Sequence, residues 1–225
     1  MGWAFMIIKI FEKIKKKNNS DGFFWSIYLF LQLVVLRAIS RIKSIALEAP
    51  EIYIGPGCEF IGIRHIKFGS NISINRGLWL HAVTEFEGDK FNPNITLGDR
   101  VKFSNGVHIS SIYKISIGND VLFGSNVFVS DHNHGSYSKY NPDSPDVPPS
   151  QRRLKGGGEV IIERNVWIGD NVNIVGPVII GSGSVIAANT VVRKNIPPNS
   201  IVAGAPGKVI KTYNSTSGCW DTSPK

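Results

Sequence analysis

The chain has 225 residues, 42% apolar and 19% charged, with a formal net charge of +8. That length fits one domain, or one domain with an appendage, and it suffices to bury a core without covalent staples. Its two cysteines, Cys58 and Cys219, lie far apart with no CxxC or Cys/His neighbour; this excludes a disulfide scaffold and a structural zinc site and fits a reducing, cytoplasmic compartment.

The positive charge is concentrated. Residues 1–47 hold eight basic residues and two acidic ones. A second patch, Arg193, Lys194, Lys208 and Lys211, has no acid between its ends, and the remainder is slightly acidic. No nucleic-acid-binding motif accompanies either patch, so no nucleic-acid partner is expected. The first patch reads as a device for a surface or membrane, the second as one for a small polyanion.

In chain order, residues 3–17 (WAFMIIKIFEKIKKK) mix apolar and Lys positions as an interfacial helix does. The apolar run 23–36 (FFWSIYLFLQLVVL) would rise about 21 Å as a helix, short of the roughly 30 Å hydrocarbon core. The run starts late and no A-x-A site follows, which argues against a signal peptide. Gly2 does not open a myristoylation motif, because Met6 stands where Ser or Thr is needed. Residues 1–47 are therefore expected to be a helical segment, packed on the main domain or a sister subunit or making peripheral membrane contact.

From residue 162 the chain parses into six hexads: IERNVW, IGDNVN, IVGPVI, IGSGSV, IAANTV and VRKNIP. The first positions are Ile162, Ile168, Ile174, Ile180, Ile186 and Val192. Small or branched residues fill the fifth positions, and Gly, Asn and Asp stand between. This is neither a helical period nor simple strand alternation. Each hexad reads as one short strand and one tight turn, with Gly and Asn where φ > 0 is needed. Three hexads make a triangular coil of about 18 residues whose first-position side chains stack inside. The pattern extends back through Ile54, Phe60, Phe68, Ile74 and Leu80, then Leu97, Phe103 and Ile109, then Ile117, Phe123 and Val129. It slips near 63–67 and 110–116 and breaks at insertions of about 81–94 and 131–159.

This pattern resembles the hexapeptide-repeat acyltransferases. The resemblance implies a mainly β fold: a left-handed parallel β-helix of about six triangular coils, an exception to the usual right-handed crossover. Residues 48–197 would form it, followed by a closing loop and flexible tail at 198–225. The repeat also occurs in γ-class carbonic anhydrases and in non-catalytic proteins, so the site must decide the function.

The second insertion opens with Val129-Ser130-Asp131-His132-Asn133-His134-Gly135. In the galactoside and maltose O-acetyltransferases, which this stretch resembles, the catalytic His follows the last regular fifth-position residue by seven. Here that residue is Val127 and the count reaches His134; His132 is the other candidate. A neutral imidazole suits the removal of a hydroxyl proton near pH 7 while that hydroxyl attacks the thioester of acetyl-CoA. Direct transfer needs no Ser or Cys nucleophile. His-x-His can also chelate a metal, but a carbonic anhydrase site needs three His at coil positions. His108 is the one other candidate nearby, so no metal is expected.

Asn165-Val166-Trp167-Ile168-Gly169 matches the family's NVWIG signature, which implies that Trp167 and Gly169 lie near the acyl donor; a corner aromatic is the plainer reading of Trp167. Ala187 and Ala188 stand where relatives keep small residues beside the pantetheine arm, and a turn alone also asks for small residues there. Residues 196–211 (IPPNSIVAGAPGKVIK) resemble the family's closing loop. This implies contacts from Lys194, Lys208 and Lys211 to coenzyme A phosphates. Arg193 belongs to the same acid-free patch, which suits a polyanion on electrostatic grounds alone, or is simply a solvated face. Ser104, Asn105, Ser111 and Asp131 are expected on the acceptor side. Ser replaces the carboxylate with which sugar-acetylating relatives grip their acceptor, and the DHNHG form resembles acetyltransferases of surface-polysaccharide synthesis. The expectation is a homotrimer moving acetyl from acetyl-CoA to a carbohydrate hydroxyl at the cytoplasmic side of the membrane. The alternatives are N-acetylation of an amino sugar or antibiotic, and a non-catalytic β-helix scaffold.

Overall fold

A computed structural model describes residues 22–49, 51–156 and 158–222. Helix α1 (Phe23–Ala46) is followed by a prism of short parallel strands. The expectations for residues 3–17 lie outside the described residues.

The prism has three faces. The first stacks residues 53–54, 73–74, 102–103, 122–123, 167–168, 185–186 and 200–203. The second stacks 59–61, 79–82, 108–111, 128–130, 173–175 and 191–192. The third stacks 66–68, 94–97, 114–117, 160–162 and 178–180, and Ile196 adds a single parallel bridge to Ile180. The chain passes from first to second to third face and climbs one coil per circuit, six circuits in all among the described residues. This is the parallel β-helix of the left-handed hexapeptide type.

Interior positions follow from strand alternation: one side chain of each short strand points inward. Ile54, Ile74, Phe103, Phe123, Ile168, Ile186 and Val202 pair in register up the first face and are buried. Phe103 and Phe123 stack with ring centroids 4.8 Å apart. Leu80, Ile109, Val129, Ile174 and Val192 climb the second face, and Leu97, Ile117, Ile162 and Ile180 the third. Burying a side chain of this size stabilises by about 1.5–3 kcal/mol, before the entropy of ordering the coil is counted.

The three corners differ, and this positions the site. The corners from first to second face and from third to first are tight turns. In the upper coils Asn126, Asn165, Asn171, Asn189 and Asn199 sit at φ 54–61°, with Gly183 at 70°. The corner from second to third face carries no such regularity. Its connections are residues 62–65, 83–93, 112–113, 131–159, 176–177 and 193–195. Both insertions and both register slips in the repeat fall there, so every irregularity leaves the prism along one edge. The first insertion is somewhat shorter than expected and contains a hairpin, Glu85–Phe86 with Asp89–Lys90.

The helix runs ten residues beyond the apolar stretch, inside the helical segment expected over residues 1–47, and its C-terminal half caps the open end of the prism. The backbone N–H of Ile54 donates to Oγ of Ser40 at 2.7 Å, and the Arg37 guanidinium lies 5.6 Å from the Tyr53 ring centre. The end of the chain is not a loose tail through residue 222. The strand Lys208–Asn214 pairs antiparallel with Ser200–Ala203, and Cys219–Thr222 pairs with it in turn, closing the prism with a hairpin. No helix among the described residues is long and apolar enough to cross a membrane.

Candidate active site

At the irregular edge the chain leaves the fourth coil through Asp131 and enters a short strand, His132–His134, which pairs antiparallel with the returning strand Leu154–Gly156. Between these strands the loop is held from inside by Arg152. Its Nε donates to the carbonyl of Val147 at 2.8 Å, Nη1 to Oη of Tyr137 at 3.0 Å and Nη2 to the carbonyl of Pro145 at 3.2 Å. The two insertions pack on each other. Val83, Ile112 and Leu154 form a small second core with Phe86 and Phe91 against it, and Arg153 meets Asp89 at 3.2 Å.

His132 and His134 alternate along this strand and have different surroundings. The His132 side chain is only 10% exposed. Its Nδ1 faces Oδ1 of Asp131 at 3.0 Å and Oγ of Ser130 at 3.3 Å, and its Nε2 faces Oγ of Ser110 at 3.4 Å. His134 is exposed; its ring meets Phe86 edge to face at 5.2 Å, and among the described residues neither ring nitrogen holds a hydrogen bond.

Asp131 has no exposed surface. Its carboxylate accepts from Oγ of Ser111 at 2.5 Å, from the backbone N–H groups of Ile112, Tyr113 and Lys114 at 2.9, 3.0 and 2.9 Å, and from His132. Burial, the largest single influence, would raise its pKa, but the hydrogen bonds from His132, Ser111, Ile112 and Tyr113 together outweigh it and hold the carboxyl below its ordinary value. Ser111 is equally buried, so neither Ser111 nor Asp131 presents an atom to an acceptor, contrary to expectation; both are consumed in this network. Ser104 and Asn105 lie at the opposite corner of the same coil, and Oδ1 of Asn105 accepts the backbone N–H of Arg76 at 3.3 Å. Of the four residues expected on the acceptor side, Ser111 and Asp131 are brought together, while Ser104 and Asn105 stand apart at another corner.

The second face carries a group that the repeat analysis passed over. Trp79, His108 and Phe128 lie in register on successive coils and point outward, with centroids 4.1 Å apart for Trp79–His108 and 5.0 Å for His108–Phe128. His81 lies beside Trp79 at 5.1 Å, in register with Ser110. Burial pushes the imidazoles of His81 and His108 below the ordinary value. His132 lowers both further by charge, and His81 adds to the shift of His108. The available signal was an aromatic or His recurring at an outward position of three successive coils.

Two coils higher, the same edge holds a pocket of about 420 Å³ lined by Arg193, Lys194, Pro206, Gly207 and Lys208. Three of the four predicted basic residues thus converge. Lys211 lies on the closing hairpin in register with Ile201, outside that lining. Trp167 is half-exposed on the outside of the first face, flanked in register by Leu122 and Val185. Gly169 has a packing reason for being glycine: a Cβ there would stand 2.6 Å from the backbone nitrogen of Ala188 on the next coil. Ala187 and Ala188 occupy that next corner, where the N–H of Ala187 donates to the carbonyl of Val202 at 2.8 Å. Among the described residues no cluster of His, Cys, Asp or Glu is arranged to hold a metal ion.

A prism of stacked hexads, with a histidine-bearing loop and a basic pocket on one edge, defines a class: acyl transfer built on a β-helix. Residues 159–194 match the family model described as bacterial transferase hexapeptide (six repeats). WbbJ of Escherichia coli K12, provisionally named a lipopolysaccharide biosynthesis O-acetyl transferase, is 41% identical over 158 residues, 69% of this chain and 76% of that protein. The galactoside O-acetyltransferase of the same organism is 31% identical over 147 residues, 63% of this chain and 64% of that protein. The chain belongs to the hexapeptide-repeat acyltransferases. AntD, an N-acyltransferase from Bacillus cereus solved with dTDP and 3-hydroxybutyryl-CoA, shares the fold with a TM-score of 0.55 at 18% identity, covering 74% of this chain and 82% of that one.

Proposed function

We propose that the protein transfers acetyl from acetyl-CoA to a carbohydrate hydroxyl, in the assembly of a bacterial surface polysaccharide, with His134 as general base. The observation that carries the choice of base is the contrast within one short strand. His132 faces partners with both ring nitrogens, whereas His134 is exposed with both nitrogens free to meet a substrate. A general base must reach the proton it removes. The likeness to WbbJ supports the substrate class.

His134 takes the acceptor hydroxyl proton as that oxygen bonds to the acetyl carbonyl carbon. The tetrahedral intermediate collapses with cleavage of the C–S bond. The coenzyme A thiolate leaves and recovers the proton from the imidazolium, so the products are an acetyl ester and free thiol. Arg193, Lys194 and Lys208 attract the coenzyme A phosphates. From their coil to that of His134 is two coil spacings, about 10 Å along the edge, a span that an extended pantetheine arm can follow. The outward rings of Trp79, His108 and Phe128 supply a surface on which a pyranose can rest.

Three copies form the assembly. The outward ladder Leu122, Trp167, Val185 and Ile201 supports this, since it gives the first face a continuous apolar stripe. Helix α1 contacts the membrane surface on the cytoplasmic side; Phe24, Trp25, Tyr28 and Leu31 are all more than half exposed along it.

The test is thiol release from acetyl-CoA by the purified protein with a panel of surface-type oligosaccharides and their nucleotide- or lipid-linked precursors. Release with an alkali-labile acetylated product is expected. An alkali-stable amide product would make it an N-acetyltransferase, and no release together with no coenzyme A binding would make it a scaffold.

A further inference from the structure

The other corners of this prism are stitched by exposed caps. Oδ1 of Asp99 accepts the N–H of Ser70, that of Asn119 accepts the N–H of Asp99, and that of Asp170 accepts the N–H of Ser125. Only at the root of the His134 strand, among the described residues, is the cap a fully buried carboxylate. It is also the most heavily engaged: one hydroxyl, three successive backbone N–H groups and one imidazole converge on it. Closing a corner does not require a buried charge, as the exposed caps demonstrate.

The groups on Asp131 come from two places. Ser111 and residues 112–114 belong to the coil below, whereas His132 belongs to the strand that carries the base. Three successive N–H groups form a small anion-binding concavity that a carboxylate fills with both oxygens. On the other side, an ionised Asp131 accepts from Nδ1–H of His132, which leaves Nε2 of the neutral ring as an acceptor facing the Ser110 hydroxyl. The strand is thereby held at its first residue, two residues before His134. Phe86 touches the ring of His134 from the other side.

We infer that Asp131 is a positioning residue for the transfer reaction: its buried carboxylate, acting with His132, clamps the root of the His134 strand to the preceding coil and so fixes where the base meets the acceptor. This rests on the reading of His134 as the base. Asp131 touches no substrate; it acts through backbone and ring geometry. A misplacement of about 1 Å at a reacting group costs on the order of 10²-fold in rate. Asparagine at this position has one acceptor oxygen, and its amide N–H groups would oppose the N–H groups of the concavity.

The experiment is steady-state kinetics on Asp131→Asn, His132→Gln and the double variant, with coenzyme A affinity and thermal melting measured on each. Asp131→Asn is expected to lower kcat by about 10- to 100-fold, with KM for acetyl-CoA and affinity for coenzyme A within about twofold of the parent. The double variant is expected to be no slower than Asp131→Asn alone, because the two residues act as one unit. A folded Asp131→Asn protein with parental kcat overturns the inference, as does a loss confined to KM for acetyl-CoA. If Asp131→Asn does not fold, Ser111→Ala removes a single donor and reports the same effect in smaller measure; parental kcat in both Ser111→Ala and His132→Gln then overturns it. His134→Ala separates the two ideas. An inactive His134→Ala beside a fully active Asp131→Asn sinks the clamp and leaves the base standing. An active His134→Ala beside an inactive His132→Gln sinks the base assignment and with it the clamp in this form.

Discussion

The rings of Trp79 and His108 stand almost perpendicular, at 89°, with centroids 4.1 Å apart on neighbouring coils. An imidazole so placed loses water and gains an apolar neighbour, and its charged form is disfavoured. His81, in edge contact with the same indole, is held in the same direction.

The pH dependence of stability follows with a definite sign. His81 and His108 have folded-state pKa values below the unfolded value of about 6.5. Each binds its proton more weakly in the folded chain. Their contribution is fully present above about pH 6.5 and is lost as pH falls through that value toward the folded pKa. The melting temperature is expected to drop between pH 7.5 and pH 5, and His81→Gln with His108→Gln together should flatten that slope. An unchanged slope in the double variant would refute the assignment.

For the base, His134→Ala should lower the rate of acetyl transfer by roughly 10²- to 10⁴-fold with coenzyme A affinity little changed. His132→Ala should remain measurably more active. Reversal of that order in a thiol-release assay would transfer the role to His132.

The basic pocket makes a graded prediction. Removing Arg193, Lys194 or Lys208 singly should weaken coenzyme A binding by about fivefold, the order of 1 kcal/mol for an exposed charge pair. Lys211→Ala should have little effect, since Lys211 lies outside the pocket. Calorimetric titration at two salt concentrations checks both statements, and the effect should shrink at high salt.

Ser40 gives a prediction about the cap of the prism. It is buried, and its hydroxyl accepts the N–H of Ile54. Ser40→Ala leaves that buried donor without its acceptor, which costs about 1–3 kcal/mol. Denaturant unfolding measures this. Cutting the chain at residue 48 should destabilise the first coil for the same reason, so α1 cannot be read as a detachable anchor.

Gly169→Ala tests the stacking of coils. The new Cβ would press on the Ala188 backbone, and overpacking of this kind costs about 1–3 kcal/mol. A lowered melting temperature with unaltered coenzyme A affinity is expected, which separates the packing role of Gly169 from contact with the donor.

Assembly is tested by sedimentation at micromolar concentration, where a trimer is expected; an active monomer would contradict it. Trp25→Lys with Leu31→Lys should abolish binding to anionic liposomes if α1 lies on the membrane, and should leave the trimer intact.

The prism was legible because its interior is a one-dimensional code. Ile162, Ile168 and Ile174 point inward at every sixth residue, a spacing that neither a helix nor an alternating strand produces. The insertions were legible as breaks in the code, although the edge they share emerges only when the coils are stacked. The closing hairpin was not, because strand Cys219–Thr222 is exposed and has no apolar face to announce it. Asp131 was misread for a related reason. An Asp beside a His in a polar loop carries no sign of burial, and its partners at 111–114 become neighbours only through one turn of the prism. Arg193 and Lys208 line one pocket because the closing hairpin folds back beside the last coil, a pairing that the run of basic residues alone does not encode.

The single irregular edge divides the molecule into a part that resists change and a part that admits it. Along two corners the chain has almost no freedom: lengthening the turn at Asn165 or Asn171 by one residue would turn the inward side chains of the following strand outward. Along the third, connections of two residues and of nearly thirty already coexist on neighbouring coils. Loops at that edge can therefore be exchanged while the stack beneath stays untouched. A chimera that transplants 83–93 and 131–159 together, keeping the Asp89–Arg153 contact, is the natural unit of exchange.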